Sequence, residues 1–298
     1  MAPNPLPSDS ANPKGFTVQS PETKPSVRGL QTLSGGTRTS VRTGRWWQPR
    51  LTALAAGGGC PFCSRPGEDE FAIAPGWKTL RNKFSPYAFH RMLIPIGCWE
   101  EGRIRILGGP QSLQFALKHA LADLIRVRRS ALPAWIFVHV GAGRGQNVAT
   151  HLHWHMCEPV GPAQPFLPLA QGSDYVVLRK SSRLFTALYG VIAGQVAIAP
   201  LQRLPGPGPL IGASRILADE GLLAELAEEA FWVVERYNRR FSDPDYCLML
   251  ALNSETDWYV RYTPHLSNWG ADCFAAIDHG TPFVMPWPHQ ATAEHLLA

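Results

Sequence analysis

The stretch Gly141-Ala-Gly143-Arg-Gly145-Gln146-Asn147-Val-Ala-Thr-His151-Leu152-His153-Trp154-His155-Met156-Cys157 decides the fold. A β-strand turns successive side chains to opposite faces, so His151, His153 and His155 share one face and Leu152, Trp154 and Met156 share the other. The apolar face can pack on a core while three imidazoles line a pocket. Structural histidines or a chance metal cluster are the plainer readings of such residues. Three on one strand face, directly after a glycine loop, point instead to a reacting site.

Working outward, 134–140 (Ala-Trp-Ile-Phe-Val-His-Val) reads as the strand before the loop, and 88–96 (Ala-Phe-His-Arg-Met-Leu-Ile-Pro-Ile) as a short strand further upstream. Between them, apolar residues at 113, 117, 121, 124 and 125 recur at helical spacing from Gln111 to Val127. Gly161 to Gly172 holds three prolines and neither period, and reads as a linker. The outline then repeats. Strands at 175–179 and 185–199 lead through a Pro/Gly loop at 205–209 to a helix near 214–240, with Leu222, Leu226, Ala230, Val233 and Tyr237 on one stripe. Strands Tyr246–Leu252 and Trp258–Tyr262 follow.

These patterns predict an α+β fold made of a duplicated unit, with antiparallel sheets and a long helix packed on each half. The halves are residues 42–160 and 173–298, joined by the linker 161–172, and only the first carries the three histidines. Residues 1–41 are rich in Pro, Ser, Thr and Gly and are expected to form a disordered tail.

Composition narrows the function classes. The chain has 298 residues, 45% of them hydrophobic, with 28 Lys+Arg against 23 Asp+Glu and a net charge of +5. Seven of the basic residues and two of the acidic ones fall in positions 1–50, so the remainder is balanced at 21 each. A nucleic-acid reader carries its basic excess on the folded part, so nucleic acid is not an expected partner. No apolar run approaches the roughly 18 residues that cross a bilayer, so no membrane partner is expected either. Six cysteines are too few and too scattered for a disulfide scaffold. A Cys-x-x-Cys pair without a secretory apolar segment points to a reducing, cytoplasmic setting.

Glycines let backbone N–H groups approach a phosphate and stabilise charge developing on its oxygens. A neutral imidazole attacks phosphorus near pH 7 and leaves readily once phosphorylated. Together these predict two-step transfer through a nucleotidyl-histidine. Gly-Gln-Asn-Val-Ala-Thr-His-Leu-His-Trp-His-Met resembles the histidine-triad signature, a glycine loop followed by His-x-His-x-His. The resemblance implies that His153, the middle histidine, is the nucleophile. It also implies phosphate contacts from Gly143, Gly145, Gln146 and Asn147, although this loop is one residue longer than the usual spacing.

Further segments resemble the galactose-1-phosphate uridylyltransferase branch of that superfamily: Arg42-Thr43-Gly44-Arg45-Trp46-Trp47, Cys60-Pro61-Phe62-Cys63, Gly76-Trp77-Lys78 and Asn82-Lys83-Phe84. The similarity runs from about residue 42 to the C-terminus. It implies that Asn82 hydrogen-bonds ribose or base and that Phe84 packs on the base, whereas the plain alternatives are a turn residue and a core aromatic. It further implies a structural Zn2+ held by Cys60, Cys63, Cys98 and His151, with Cys98 standing where the branch has histidine. The competing reading of Cys98 is a buried thiol.

Three departures bear on substrate. The branch carries Gln at the third triad position, and this chain has His155, a pattern of triad hydrolases and some adenylyl-transferring relatives; His155 would hydrogen-bond the leaving group or relay a proton to it. The sugar-contacting segment reads Ala275-Ala276-Ile277, upstream of a terminal Thr281-Pro-Phe-Val-Met-Pro-Trp-Pro-His-Gln. Trp258-Tyr-Val-Arg261-Tyr262 replaces a second-half His motif, so Arg261 is either a phosphate ligand or a surface arginine. The expected activity is nucleotidyl transfer, uridylyl or adenylyl, between a nucleoside diphosphate sugar or related nucleotide and a phosphorylated acceptor such as a sugar phosphate. A triad hydrolase or phosphorylase is the alternative, and a zinc-stabilised nucleotide-binding module without catalysis the second. Galactose metabolism is the pathway the resemblance implies, and a homodimer is the assembly it implies.

Overall fold

A computed structural model describes residues 27–31, 37–41, 69–82, 89–96, 109–140, 153–158, 175–189, 194–204, 211–241, 246–264 and 289–298. Strands β1 (Val27–Gln31) and β2 (Thr37–Val41) pair antiparallel as a separate two-stranded sheet. They lie inside residues 1–41, where composition predicts no order. A two-stranded ribbon closes its own ladder without a core, so a segment too polar to build one can still form it.

The first half contributes β3 (Phe71–Ala74), β4 (Trp77–Arg81), β5 (His90–Pro95), helix α1 (Pro110–Arg128), β6 (Ala134–Val140) and β7 (Trp154–Cys157). The second contributes β8 (Val176–Lys180), β9 (Leu184–Leu188), β10 (Val196–Pro200), α2 (Ala213–Ala218), α3 (Glu220–Arg240), β11 (Tyr246–Leu252) and β12 (Trp258–Pro264). Helix α4 (His289–Leu297) follows and buries Thr292, Ala293 and Leu296.

The predicted separate sheets are one sheet of ten antiparallel strands, ordered β3-β4-β5-β7-β6-β11-β12-β10-β9-β8. The halves meet along seven residue pairs, from Tyr246 opposite Val140 to Leu252 opposite Ala134. Two predicted elements divide. The apolar run 185–199 becomes β9 and β10, because Gly194 takes φ +70° in the turn between them. The Tyr237 hydroxyl donates to the Gly194 carbonyl at 2.5 Å and ties that turn to α3. The helix near 214–240 breaks at Asp219, whose extended backbone (φ −120°, ψ 95°) ends α2 while its carboxylate accepts the Leu222 N–H at 2.9 Å and caps α3. Strands β3 and β4 escape the sequence reading. Their turn places Pro75 and Gly76 in succession, and Gly76 takes φ +76°, a conformation that favours glycine.

Read inward from either edge, the strand order is the same: β3-β4-β5-β7-β6 and β8-β9-β10-β12-β11. The registers agree as well. Leu93 lies opposite Trp154 and Trp154 opposite Val138, just as Ile198 lies opposite Val260 and Val260 opposite Leu250. Setting β6 on β11 end to end then puts Tyr259, Arg261 and Thr263 where β7 and its lead-in carry His153, His155 and Cys157.

One face of this sheet takes both long helices. Ile136, Val138, Trp154 and Met156 from the first half join Leu248, Leu250, Val260 and Tyr262 from the second, packed with Leu113, Leu117, Leu121 and Leu124 of α1 and Leu222, Leu226 and Val233 of α3. Ile125, expected on the buried stripe, is 39% exposed, and Ala116 and Ala120 take the space instead.

Each helix also sends a carboxylate under the sheet. Asp123, fully buried, receives the Arg91 Nε–H at 2.7 Å, and Arg91 donates in turn to Thr79 at 3.0 Å. Glu229 accepts from the Thr186 hydroxyl at 2.6 Å and pairs with Arg179 at 2.9 Å. Arg91 also pairs with the exposed Asp69, so removing Asp123 leaves a buried guanidinium with only a solvent-facing counter-charge. Asp123→Ala is expected to cost about 3–5 kcal/mol in urea unfolding. Lys118→Ala, which breaks an exposed pair with Glu220, should leave the urea midpoint nearly unchanged.

Candidate active site

The face away from the long helices carries the histidines. On β7 and its lead-in these are His153, His155 and Cys157; on β6, Trp135, Phe137 and His139; on β5, His90 and Met92. The β6–β7 register sets Phe137 directly opposite His155, and the β5–β7 register sets His90 opposite Cys157. The predicted division of the strand therefore holds for its described part. Trp154 and Met156 are fully buried on the helix side, whereas His153 and His155 are only partly covered.

The rings form a compact group. His153 and His155 meet edge to face with centroids 4.6 Å apart, and Phe137 stacks on His155 at 4.7 Å and 17°. His90 Nε2 and His155 Nδ1 share one hydrogen bond at 2.9 Å. His139 lies 5.3 Å from Phe137 and 6.1 Å from His155 between centroids. Burial, followed by the field of His153, pulls His90 down to about 3. Burial first, then the neighbouring His153, His90 and His139, holds His155 well below the ordinary imidazole range. Both rings are therefore neutral at pH 7. Cys157, beside them, is pushed up to about 12 by burial, so it stays a thiol and is no rival nucleophile.

Asn82 joins this face from the end of β4, where its backbone N–H donates to the His90 carbonyl at 2.8 Å. Arg261 is on the same face but not beside the histidines. The row His155–Phe137–Met249–Arg261 crosses three strand spacings, about 14 Å. Arg261 is 3% exposed, so it is not a surface arginine. Its Nη2 lies 3.7 Å from Met249 Sδ, and Tyr189 and Tyr259 flank it. That span is a backbone spacing, and the Arg261 guanidinium extends from it as far as Met249, one strand nearer the histidines.

Cys60, Cys63, Phe84, Cys98, Gly143, Gly145, Gln146, Asn147 and His151 lie outside the described residues. Among the described residues no group of three or more His, Cys, Asp or Glu side chains is placed to hold a metal ion, and no helix is long and apolar enough to cross a membrane. Sequence reasoning misses two residues of the cluster, His90 and His139. Both stand in segments read as strands, yet period-two alternation tells which residues share a face and not which strands are neighbours.

The low basicity of the buried His90 makes stability depend on pH. Between about pH 3 and pH 6.5 the unfolded chain binds a proton that the folded chain refuses. Unfolding free energy should therefore rise with pH across that window and level off above it. His90→Gln should flatten the rise in urea titrations; an unchanged slope would contradict the burial of a neutral His90.

No family model matches the chain, and no curated protein matches its sequence. Solved structures do match its fold. A GalT-like protein from Arabidopsis thaliana superposes with TM-score 0.59 at 16% identity, covering 80% of this chain and 90% of its own. An ADP-glucose phosphorylase from Arabidopsis thaliana, solved with bound ADP-glucose, gives TM-score 0.59 at 16% identity, covering 80% of this chain and 89% of its own. A uridylyltransferase gives TM-score 0.58 at 13% identity over 91% of this chain and 98% of its own. The chain has the galactose-1-phosphate uridylyltransferase-like fold that the sequence motifs resemble.

Proposed function

We propose that this chain is a nucleotidyl-transferring enzyme of the uridylyltransferase-like branch of the histidine-triad superfamily, with His153 as nucleophile. The observation that carries the reading is the imidazole group on β7: His153 partly open, edge to face with a neutral His155 that His90 anchors from the next strand. The matching strand orders and registers of the two sheet halves support reading them as copies of one triad-like unit, with Tyr259 and Arg261 where a second active pair would stand.

In the first step a ring nitrogen of His153 forms a bond to the α-phosphorus of a nucleoside diphosphate sugar or related nucleotide. The bridging oxygen leaves with the bonding electron pair, as part of a phosphorylated fragment. When His90 Nε2–H donates to His155 Nδ1, the neutral His155 carries its proton on Nε2, where it can donate a hydrogen bond to the departing oxygen and keep the proton. In the second step an oxygen of the acceptor displaces His153 from phosphorus. The glycine loop with Gly143, Gly145, Gln146 and Asn147 would hold the phosphate oxygens, and Asn82 with Phe84 the nucleoside. Arg261, three strands from His155 on the same face, is given no part in this step.

Three acceptors, in two groups, are in contention. A sugar phosphate makes the enzyme a transferase. Inorganic phosphate makes it a phosphorylase, the activity named for one of the similar structures, and water makes it a hydrolase. His155, in place of the branch's Gln, favours the second group. Incubation with α-labelled UDP-glucose, ADP-glucose or a diadenosine polyphosphate should label the protein. The chase then decides: loss only with a sugar phosphate means transfer, loss with inorganic phosphate means phosphorolysis, and spontaneous loss means hydrolysis. His153→Ala should lower labelling by on the order of a thousandfold or more. Labelling equal to wild type would end the proposal.

Three thiolates and one imidazole form a donor set suited to structural zinc, so Cys60, Cys63, Cys98 and His151 would hold the metal. Bound there, the metal would brace the start of the His153 strand and supply no step of the reaction. Metal analysis of purified protein should find about one zinc per chain, lost in Cys98→Ala. Full zinc retention in that variant would assign Cys98 to the core instead.

A further inference from the structure

We propose that His139 is a second substrate-contacting imidazole, donating a hydrogen bond to the phosphoryl group that His153 takes up. The inference rests on the reading of His153 as nucleophile and adds a residue that neither the triad motif nor the glycine loop contains.

Register is the first argument. Val138 pairs with Trp154 at the end of the β6–β7 ladder, and carrying that register one residue further sets His139 opposite His153, just ahead of β7. Directly opposed side chains on one face have Cβ atoms about 4.5–5.5 Å apart, a gap that one phosphoryl group can bridge through its oxygens. The alternation of β6 puts His139 on the histidine side, edge-on to Phe137 at 5.3 Å and 6.1 Å from His155 between ring centroids. Its strand neighbours Val138 and Val140 are buried on the helix side, whereas His139 and His153 are both partly open.

Chemistry is the second. The group carried by His153 is anionic, and its negative charge grows on the oxygens as the bond to nitrogen forms. His153 must be neutral to attack. Arg261, the buried guanidinium of this face, lies three strand spacings from His155. An imidazole N–H opposite the nucleophile can donate to a non-bridging oxygen in either protonation state, and no bond to His139 forms or breaks. Position is the third argument. His139 is followed by Val140 and then by the Gly141–Asn147 loop, so it marks the point where the strand hands over to the expected phosphate cradle. Setting β6 on β11 end to end brings His139 onto Ala251, which has no polar side-chain atom, just as His153 falls on Tyr259. The half that lacks the nucleophile also lacks this donor.

The alternative is a structural role, since His139 also faces Cys247 across β11. Two readouts on the full chain separate the cases. Calorimetry with AMP and UMP measures binding without turnover, and side-chain 15N–1H spectra report whether the His139 ring senses the added phosphate. His139→Ala should weaken monophosphate binding and slow labelling of His153 by roughly ten- to a hundredfold, and His139→Gln should restore part of both. Should His139→Ala fail to fold, His139→Gln and the wild-type spectra carry the test. Wild-type binding with a silent His139 ring, or with His139→Ala matching wild type in both readouts, overturns this inference alone. A responsive His139 with no labelled His153 overturns the transfer reading and leaves the phosphate contact standing. Binding of neither nucleotide overturns both.

Discussion

The register that β7 keeps between β5 and β6 decides which residues reach the histidine side and which fill the core. Phe137 opposite His155 and Met92 opposite the same residue hold it from both flanks. A slip of one residue would turn Trp154 and Met156 outward and drive imidazoles into the helix-packed face. Burial of a fully enclosed Trp154 against α1 opposes that slip strongly, because both the apolar gain and the cost of enclosing imidazoles favour the observed register. The site's precision thus comes from the opposite side of the sheet.

The second half supports the same constraint. Without β11, β6 would be an edge strand, and the rows that carry Phe137 and His139 would lose their outer neighbour. With it, the sheet continues through five further strands, and the helix face becomes one core spanning α1 and α3. The two halves carry different chemistry at matching positions. The first places partly open imidazoles there; the second places a buried guanidinium between two tyrosines whose burial raises both hydroxyls. One half therefore leaves imidazoles partly open and the other mostly closes on itself, with Phe185, Ala187, Ala197, Ala199 and Ala251 packed around Tyr189 and Tyr259.

Much of this was legible in the sequence, for reasons that can be traced. Strand β6 and the outward face of β7 follow from alternation alone, and α1 and α3 from their apolar stripes. Local pattern says nothing of which strands adjoin, so the single sheet and the approach of His90 and His139 to the triad stayed hidden. Strands β9 and β10 merge in the sequence because both their faces are covered and polar punctuation is missing. Strands β3 and β4 were too short and too exposed to stand out. Arg261 shows the limit most sharply: its type suits phosphate, yet only the strand order reveals how far it stands from His155. The resemblance to the uridylyltransferase branch pointed to the fold, and the structural matches at 13–16% identity bear out that fold.

The central claim is that His153 bears the nucleotide. Rapid quenching of the protein with UDP-glucose or ADP-glucose, followed by intact-mass and peptide mass spectrometry, addresses it directly. The account predicts a gain of one nucleoside monophosphate, stable in alkali, lost in mild acid as a phosphoramidate, and mapped to residue 153. An adduct on another residue, or turnover of either donor at full rate by His153→Ala, would contradict it.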